Sequence, residues 1–590
     1  MAEALISPGV FLRENDLSQI TAGPVAVGAA LIGPTVVGRP NIPTLVTSYS
    51  QYKAKFGTTF VSNSNTYEYM TSQAAYNYFQ QGGVSLLVTR VASGSYSAAT
   101  SSLIPCGVAG QSPFVLETLS VGTIMNNSEG AATATDGVLP SGSANNIRWQ
   151  ITQADSASGV FTLLIRRGDD YTSNQTVLET WTNLSLDPNQ NNYIAYVIGD
   201  QTQNIAYDSD GQAYLESTGS YPNTSLYVRV KEVNLPTPNY LNPQGRAYAQ
   251  YTASIPLNGS GSQNGSFGTA VGPVYGCFGQ APLNLYEEIP VVPSIPTSGF
   301  DTNIQGVFAS SYEAAINLLS NQDQYVYDSI YAPGVTNQNA PSIVSSLLSM
   351  VQNRGDAIAV VDMVGYNQAI ATATIAAQSY DNSYGATYWP WVQVRSVETG
   401  RFNYVPASVI IPGVYEYNDR VSAEWFAPAG LNRGGLPTVI QPERRLTVGQ
   451  RNTLYTGRVN PIAVFPGQGT VVYGQKTLQA RASALDRVNV RRLLIALKGY
   501  IGQIAQTLVF EQNTAVTRNR FLSQVNPYLD YVQQRQGLYA FRVVMDETNN
   551  TPDVIDRNIL VGAIYLQPTR TAEFIQLDFN ILPTGVTFGA

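Results

Sequence analysis

Residues 325–363 run YVYDSIYAPG, then SIVSSLLSMVQNRG, then DAIAVVDM. The outer two are apolar runs of strand length. The middle one has helical spacing and ends at Gly355, a natural helix stop. Strand, helix and strand in that order make a βαβ unit, which requires a parallel sheet with a helix crossing over it. A similar texture appears much earlier, in PVAVGAALIG, TYEYMTSQAAYNYFQQGG and VSLLVTRVA within residues 23–100. There the Gly82-Gly83 pair supplies the stop.

Between these stretches the texture changes. GSANNIRWQIT, GVFTLLIRRG and TSLYVRVKEV are short strand-like runs, separated by ASGSYSAATSS, NNSEGAATATDG and NGSGSQNGSFG. Strands punctuated by turn clusters imply a β-sandwich or two small β-domains. Residues 101–285 therefore read as an inserted all-β outer region. Residues 23–100 and 286–430 are the two halves of a discontinuous α/β middle domain. Residues 1–22, with Pro8-Gly9, read as an extended arm. Residues 431–590 form an α+β C-terminal domain ending in a strand arm, 573–590. The whole is an α+β / α/β multidomain architecture, as 590 residues require.

Two periodicities organise the last part. In EFIQLDFNI, Ile575, Leu577, Phe579 and Ile581 alternate with polar residues, which marks a strand with one buried face. Chain ends are polar and frayed unless tied down, so such a strand needs a partner. In LDRVNVRRLLIALKGYIGQIAQTLVFE, Val490, Leu494, Leu497, Ile501, Ile504 and Leu508 recur at helical spacing. Arg487, Arg491 and Lys498 share another face of that helix.

Composition narrows the function. Charged residues are 12% of the chain, against roughly 25% in ordinary globular proteins. Polar uncharged residues and 37 tyrosines take their place. A weakly charged, Tyr-rich surface suits stacking against copies of itself. Net charge is −8, which argues against wholesale nucleic-acid binding. The balance is uneven: residues 431–590 hold 17 Lys+Arg and 10 Asp+Glu, the rest 15 and 30.

There is no histidine. That removes the commonest general base and the Ser-His and Cys-His pairs. Cys106 and Cys277 are the only cysteines, too few for a disulfide framework or a four-cysteine zinc site. They sit near the two ends of the β insertion, so one bridge could form if those ends meet; a reducing compartment disfavours it. The start, MAEALISPGVFLREND, lacks the pattern of a secretory signal, and GPVAVGAALIGPTVVG is too interrupted for a membrane span. A cytoplasmic product is expected.

Two motifs fall short. GTVVYGQKT places Gln475 between the glycine and lysine of a phosphate loop, and the extra residue would turn Lys476 by about 100° on a helix. DSDGQAYLE has Gln212 where a calcium loop wants a ligand, and its Glu216 comes too early. No nucleophile elbow is present. No catalytic, cofactor or metal residues are nominated.

The C-terminal third resembles the contractile tail sheath proteins. NPIAVFPGQGTVVYGQKTL (460–478), RVNVRRLL (487–494), VFEQN (509–513) and PTRTAEFIQLDF (568–579) follow in that family's order. So do YWPWVQV, VPASVIIPGVYEYNDR and EWFAPAG within 388–430, and ISPGVFLRE and YAPGV are similar to sheath segments. Tyr473 stands where Trp is common, and Gln512-Asn513 where Pro-Asn is common. The insertion lies outside the likeness. The resemblance implies a middle domain of subtilisin-like shape, without the histidine that a subtilisin triad needs. It implies a structural subunit of a virion tail, assembled in the host cytoplasm as hexameric rings stacked around an inner tail tube. Its partners would be itself, the tube protein, and baseplate and tail terminator or neck proteins, with no direct contact to nucleic acid or membrane. Contraction from a metastable extended state would drive the tube through the cell envelope. A sheath of a headless injection particle, a surface adhesin and an α/β hydrolase are the alternatives.

On that resemblance, both arms leave their subunit and add strands to neighbouring sheets. Ile6, Val10, Phe11 and Leu12 would act in the N-terminal arm, and Ile575, Leu577, Phe579 and Ile581 in the C-terminal one. Arg487, Arg491 and Lys498 are then the candidates for facing an acidic tube.

Overall fold

The computed structural model describes residues 26–36, 38–62, 65–92, 98, 100–101, 103–119, 147–167, 176–260, 303–305 and 307–573. At its centre is a six-stranded sheet. In spatial order its strands are Gly385–Ala386, Ile358–Asp362, Val326–Thr336, Ala26–Gly33, Leu86–Arg90 and Thr44–Val46. All neighbours are parallel except the last pair. Ala26–Gly33 lies between a strand from its own neighbourhood and one about three hundred residues later: Ala29 pairs with both Leu86 and Ser329. The chain between therefore departs from this sheet and returns to it.

The sheet is covered on both faces, as parallel sheets must be. Successive side chains point to opposite sides. Ala29, Leu31, Ile358 and Val360 join one core, with Tyr78 and Val414 from the helices Met70–Gln80 and Ile411–Val421. Ala30, Ile32, Ala359 and Val361 join the other, with Leu318 and Leu347 from Tyr312–Leu319 and Pro341–Arg354. The Pro341–Arg354 helix opens on Pro341, whose missing N–H costs nothing in a first turn. It closes on Gly355 at φ 72°, with the glycine N–H bonded to Val351. The expected Gly82-Gly83 stop also ends a helix, but that helix starts at Met70. Residues 66–68, expected to be helical, instead belong to the strand Asn65–Glu68, which pairs with Thr59–Ser62.

Within the intervening segment, Gly259–Ser260, Ile147–Asp155, Val160–Arg167 and Val177–Ser185 form an antiparallel sheet. Phe114–Thr118 pairs with Val228–Val233, and Thr202–Tyr207 with Ala213–Thr218. Two short helices, Ile194–Ile198 and Ala249–Thr252, accompany them. Trp149, Phe161, Leu163 and Val228 build a separate core there. The Thr202–Thr218 hairpin is the exception: Ala213, Ile205 and Leu215 pack into the central domain's core.

The helices Val488–Gln506 and Ala515–Gln534 form a further core with the antiparallel pair Leu538–Val544 and Ala563–Pro568. Val490, Leu497 and Leu508 are buried, and Leu494, Ile501 and Ile504 pack against that core. The helix ends at Gln506, short of the expected Glu511. Leu538, Phe541, Val543, Ile564 and Leu566 of the strand pair face the Phe521, Val525, Leu529 and Val532 stripe of the second helix. Trp425 joins this core and donates its indole N–H to the Arg535 carbonyl at 3.0 Å.

Candidate functional site

The helix Val488–Gln506 lies at the junction of the central and C-terminal cores. Val488 and Ile495 belong to the first, Leu493 and Leu497 to the second. Its arginines meet different partners. Arg487, at the N-cap, is half-buried and sits 2.9 Å from Asp486 and 2.6 Å from Glu573. Arg491 is 4% exposed. Its guanidinium lies 3.9 Å from the Tyr384 ring centre and donates to Ser383 Oγ. Lys498 is exposed, and its Nζ is 3.2 Å from the Tyr384 hydroxyl.

The three tube-facing candidates are not equally open in this chain. Arg487 and Arg491 are engaged within their own subunit, and Lys498 alone of the three stands in solvent. The spacing did put Arg491 and Lys498 on one side, since both reach Tyr384. Ile6, Val10, Phe11, Leu12, Ile575, Leu577, Phe579 and Ile581 lie outside the described residues. So does Cys277. Cys106 is half-buried, with Sγ near the carbonyls of Val108 and Gln111.

Arg492, which the sequence reading passed over, holds the junction. It is 4% exposed and forms a fork–fork pair with Asp419 of the Ile411–Val421 helix. Asp328, on the central strand Val326–Thr336, is 3.8 Å away. Glu416 and Glu424 complete a group of four carboxylates around one guanidinium. Burial would lower the arginine's pKa, but the charge and hydrogen bonds of Asp419, joined by Asp328, together hold it above the usual value. The carboxyls go the other way. Burial first, then their mutual repulsion, pushes Asp328 and Glu424 up and Glu416 to about 7. One Asp328 oxygen is buried with no hydrogen-bond partner among the described residues.

A second cluster gathers at Glu573. Its carboxylate accepts from Arg487 Nε at 2.6 Å and Nη2 at 3.0 Å, from the Tyr455 hydroxyl at 2.8 Å, and from Gln475 Nε2 at 3.1 Å. Burial would raise its pKa, but the hydrogen bonds from Arg487, Tyr455 and Gln475, with the Arg487 charge, together hold it below the ordinary value. A third carboxylate, Asp362, ends a central strand and accepts from the Ser408 hydroxyl at 2.5 Å and its N–H at 3.2 Å. Burial lifts it to about 7 against those bonds.

These clusters are pairs and latches. Among the described residues, no three His, Cys, Asp or Glu side chains are grouped to hold a metal, and no helix is long and apolar enough to cross a membrane. Asp362 and Ser408 cannot be part of a Ser-His pair, since the chain lacks histidine. What the arrangement can do is tie elements together through charge.

Comparison with known proteins gives the context. Residues 309–478 match the family model described as phage tail sheath protein central domain, and residues 481–581 match the phage tail sheath C-terminal domain. The tail sheath protein of Vibrio phage KVP40 is 35% identical over 277 residues, 46% of this chain and 41% of the relative. That of Enterobacteria phage T4 is 42% identical over 185 residues, 31% of this chain and 28% of the relative. The chain thus spans less than half the length of these curated relatives. Among solved structures, the sheath tail protein from Listeria innocua aligns over 92% of this chain and 96% of its own, with TM-score 0.49 and 10% identity. The anti-feeding prophage helical sheath in contracted state aligns over 97% and 98%, with TM-score 0.46 and 15% identity.

Proposed function

We propose that this chain, whose residues 309–478 and 481–581 match the phage tail sheath family models, is the sheath subunit of a phage tail. In this reading copies stack as hexameric rings around an inner tube. The lattice shortens from a metastable extended state and drives the tube through a cell envelope. The observation that carries it is the pair of family matches, consecutive along the chain, which take in the later part of the central domain and the C-terminal core.

The mechanism needs no bond-making. Two lattice packings of one subunit differ in free energy, and rigid-body movement at interfaces converts one to the other. The subunit must stay rigid while its contacts change. The Arg492 group supports this role, because it joins the central sheet, the Ile411–Val421 helix and the C-terminal helix in one charged junction.

The lattice must also stay connected. The pair Leu538–Val544 and Ala563–Pro568 favours strand exchange. It has no third strand among the described residues, and Tyr539 and Tyr565 are exposed on it. Two strands with open edges are a ready template for an incoming strand. The arms at 1–22 and 573–590 would supply that strand from neighbouring subunits. The discontinuous middle domain (23–100 with 286–430), its subtilisin-like shape and an outward-facing insertion at 101–285 belong to the same proposal. Lys498 is the tube-facing candidate that keeps its charge in solvent. Baseplate, neck and tube proteins are the expected partners.

Electron microscopy of the purified chain, intact and with 574–590 removed, tests this. Striated tubes are expected from the intact chain and none from the truncated one. Tubes from both would return the tail strand to its own subunit. No polymer from either, across several salt concentrations, would overturn the sheath reading.

A further inference from the structure

The charged cluster at Glu573 sits where the C-terminal arm begins, and it is built from distant parts of the chain. Tyr455 comes from the helix Val448–Thr456, Gln475 from the turn after the strand Gly469–Val472, and Arg487 from the N-cap of Val488–Gln506. The receiving side is assembled independently of Glu573. Val488 N–H donates to the Gln475 carbonyl at 2.8 Å, and Thr477 N–H to the Asp486 carbonyl at 3.0 Å. Gln475 is 3% exposed, and its Nε2 reaches Thr571 Oγ1 at 2.6 Å as well as Glu573. Lys476 Nζ lies 4.5 Å from the Tyr455 ring centre. The arm's root is thus bonded at two alternate residues, Thr571 and Glu573.

The strap leading there starts elsewhere. Thr569 N–H bonds to the Gly537 carbonyl, beside the open strand pair of the C-terminal core. In the next few residues the chain crosses to the Tyr455–Gln475–Arg487 platform. A solvent-exposed ion pair would do little to hold such a crossing. Here the Arg487 and Glu573 side chains are 25% and 18% exposed, and three side chains donate to one carboxylate.

We infer that Tyr455, Gln475 and Arg487 clamp Glu573 as the fixed exit point of the C-terminal arm, setting the register in which that arm reaches a second copy of this chain. The inference rests on the strand-exchange reading above. Glu573 is two residues before Ile575, so on a strand it has the parity of Ile575, Leu577, Phe579 and Ile581. A slip of one residue would turn that whole apolar set to the wrong face. A clamped root prevents the slip and shortens the tether, which raises the arm's effective concentration at the neighbouring edge. Glu573, Arg487, Tyr455 and Gln475 are positioning residues: they touch the root of the arm and not the partner.

The test uses the full chain with Glu573→Gln, Arg487→Met, the double variant, and Arg487→Lys as the conservative change. Two quantities are read: backbone hydrogen exchange at 569–573, and the threshold protein concentration for tube growth by sedimentation and microscopy. Each non-conservative single variant should speed exchange and raise the threshold about tenfold. The double should cost less than the sum of the two singles, because the Arg487–Glu573 interaction is lost in both. Arg487→Lys should fall between, since it keeps the charge and loses the fork. Faster exchange with an unchanged threshold would overturn the positioning role, leaving a clamp that only orders the strap. Unchanged exchange would overturn the clamp itself. A wild-type chain that forms no tubes would overturn the strand-exchange reading and this inference with it, whatever exchange shows.

Discussion

Arg492 Nη1 lies 2.9 Å from Asp419 Oδ1, and the guanidinium carbon of the same residue lies 4.6 Å from the Tyr415 ring centre. The arginine is the single cation in a group that also contains Asp328, Glu416 and Glu424. Removing it leaves those carboxylates facing one another in a buried place. Arg492→Met should therefore destabilise the folded chain by about 3–5 kcal/mol, the cost of an unpaired buried charge. Asp419→Asn should cost less, because Asp328 and Glu416 still surround the guanidinium. Arg492→Lys should be intermediate, since an ammonium cannot form the fork. Denaturant midpoints for the three variants check the ranking.

The same group makes stability depend on pH in an unusual direction. Glu416 faces Tyr78 from the Met70–Gln80 helix, Asp328 and Tyr331 from the central strand, Arg492 from the C-terminal helix, and Asp419 and Glu424 beyond it on its own segment. Burial first, then the Asp419 charge, lifts its carboxyl to about 7. In the unfolded chain it titrates near about 4.3. Between those values the folded state binds more protons than the unfolded one. Its contribution to stability is therefore highest below about 4.3, falls as pH rises, and is flat above 7. Glu573 acts oppositely: its depressed pKa gives stability that is lost as pH falls. Glu416→Gln should remove the Glu416 slope and gain on the order of 1–2 kcal/mol over wild type at pH 8. Denaturant melts at pH 5, 6, 7 and 8 on both proteins check this. A constant difference across that range would contradict it.

Glycine substitutions give an independent check on packing. A Cβ on Gly83 would meet the Tyr78 ring at 2.2 Å, and that ring is 1% exposed with its hydroxyl donating to the Ser85 carbonyl. Gly83→Ala should cost about 1–3 kcal/mol through overpacking. Gly449 lies in a helix, and a Cβ there meets nothing within 4 Å. Gly449→Ala should gain about 0.5 kcal/mol from helix propensity alone. In thermal melts, a rise for Gly83→Ala would fault the packing at Gly83, and a fall for Gly449→Ala would fault the open space at Gly449.

The parallel strands were legible because both of their faces are buried. DAIAVVDM contains Ile358–Asp362, every residue of which is buried. The apolar face of Val488–Gln506 was legible for the same reason, with a different period. The second C-terminal helix, Ala515–Gln534, went unread. Pro527 inside it argues against a helix, and its polar residues hide the Phe521, Val525, Leu529 and Val532 stripe. The charged junctions were least legible. Arg491 and Arg492 are neighbours pointing about 100° apart. Nothing local says that one meets Tyr384 and the other Asp419. Glu573 marked only the start of an alternating run. Its partners at 455, 475 and 487 come together through the fold, and no spacing announces them.

The inserted segment allows a final prediction. The core around Trp149, Phe161 and Leu163 is separate from the central ones, so residues 101–260 should melt cooperatively when expressed alone. Replacing 101–285 by a short linker should spare tube formation, if that segment faces outward in the lattice. The replacement has a cost at one place. Ala213, Ile205 and Leu215 of the Thr202–Thr218 hairpin cover the core beside Tyr312–Leu319, and deletion bares that helix. The shortened chain should therefore assemble into narrower tubes but melt several degrees lower, as expected for about 1–2 kcal/mol in a large domain. Loss of all polymer would mean that the segment contributes to the lattice contacts. An unchanged melting temperature would mean that the hairpin contact adds nothing to the central core.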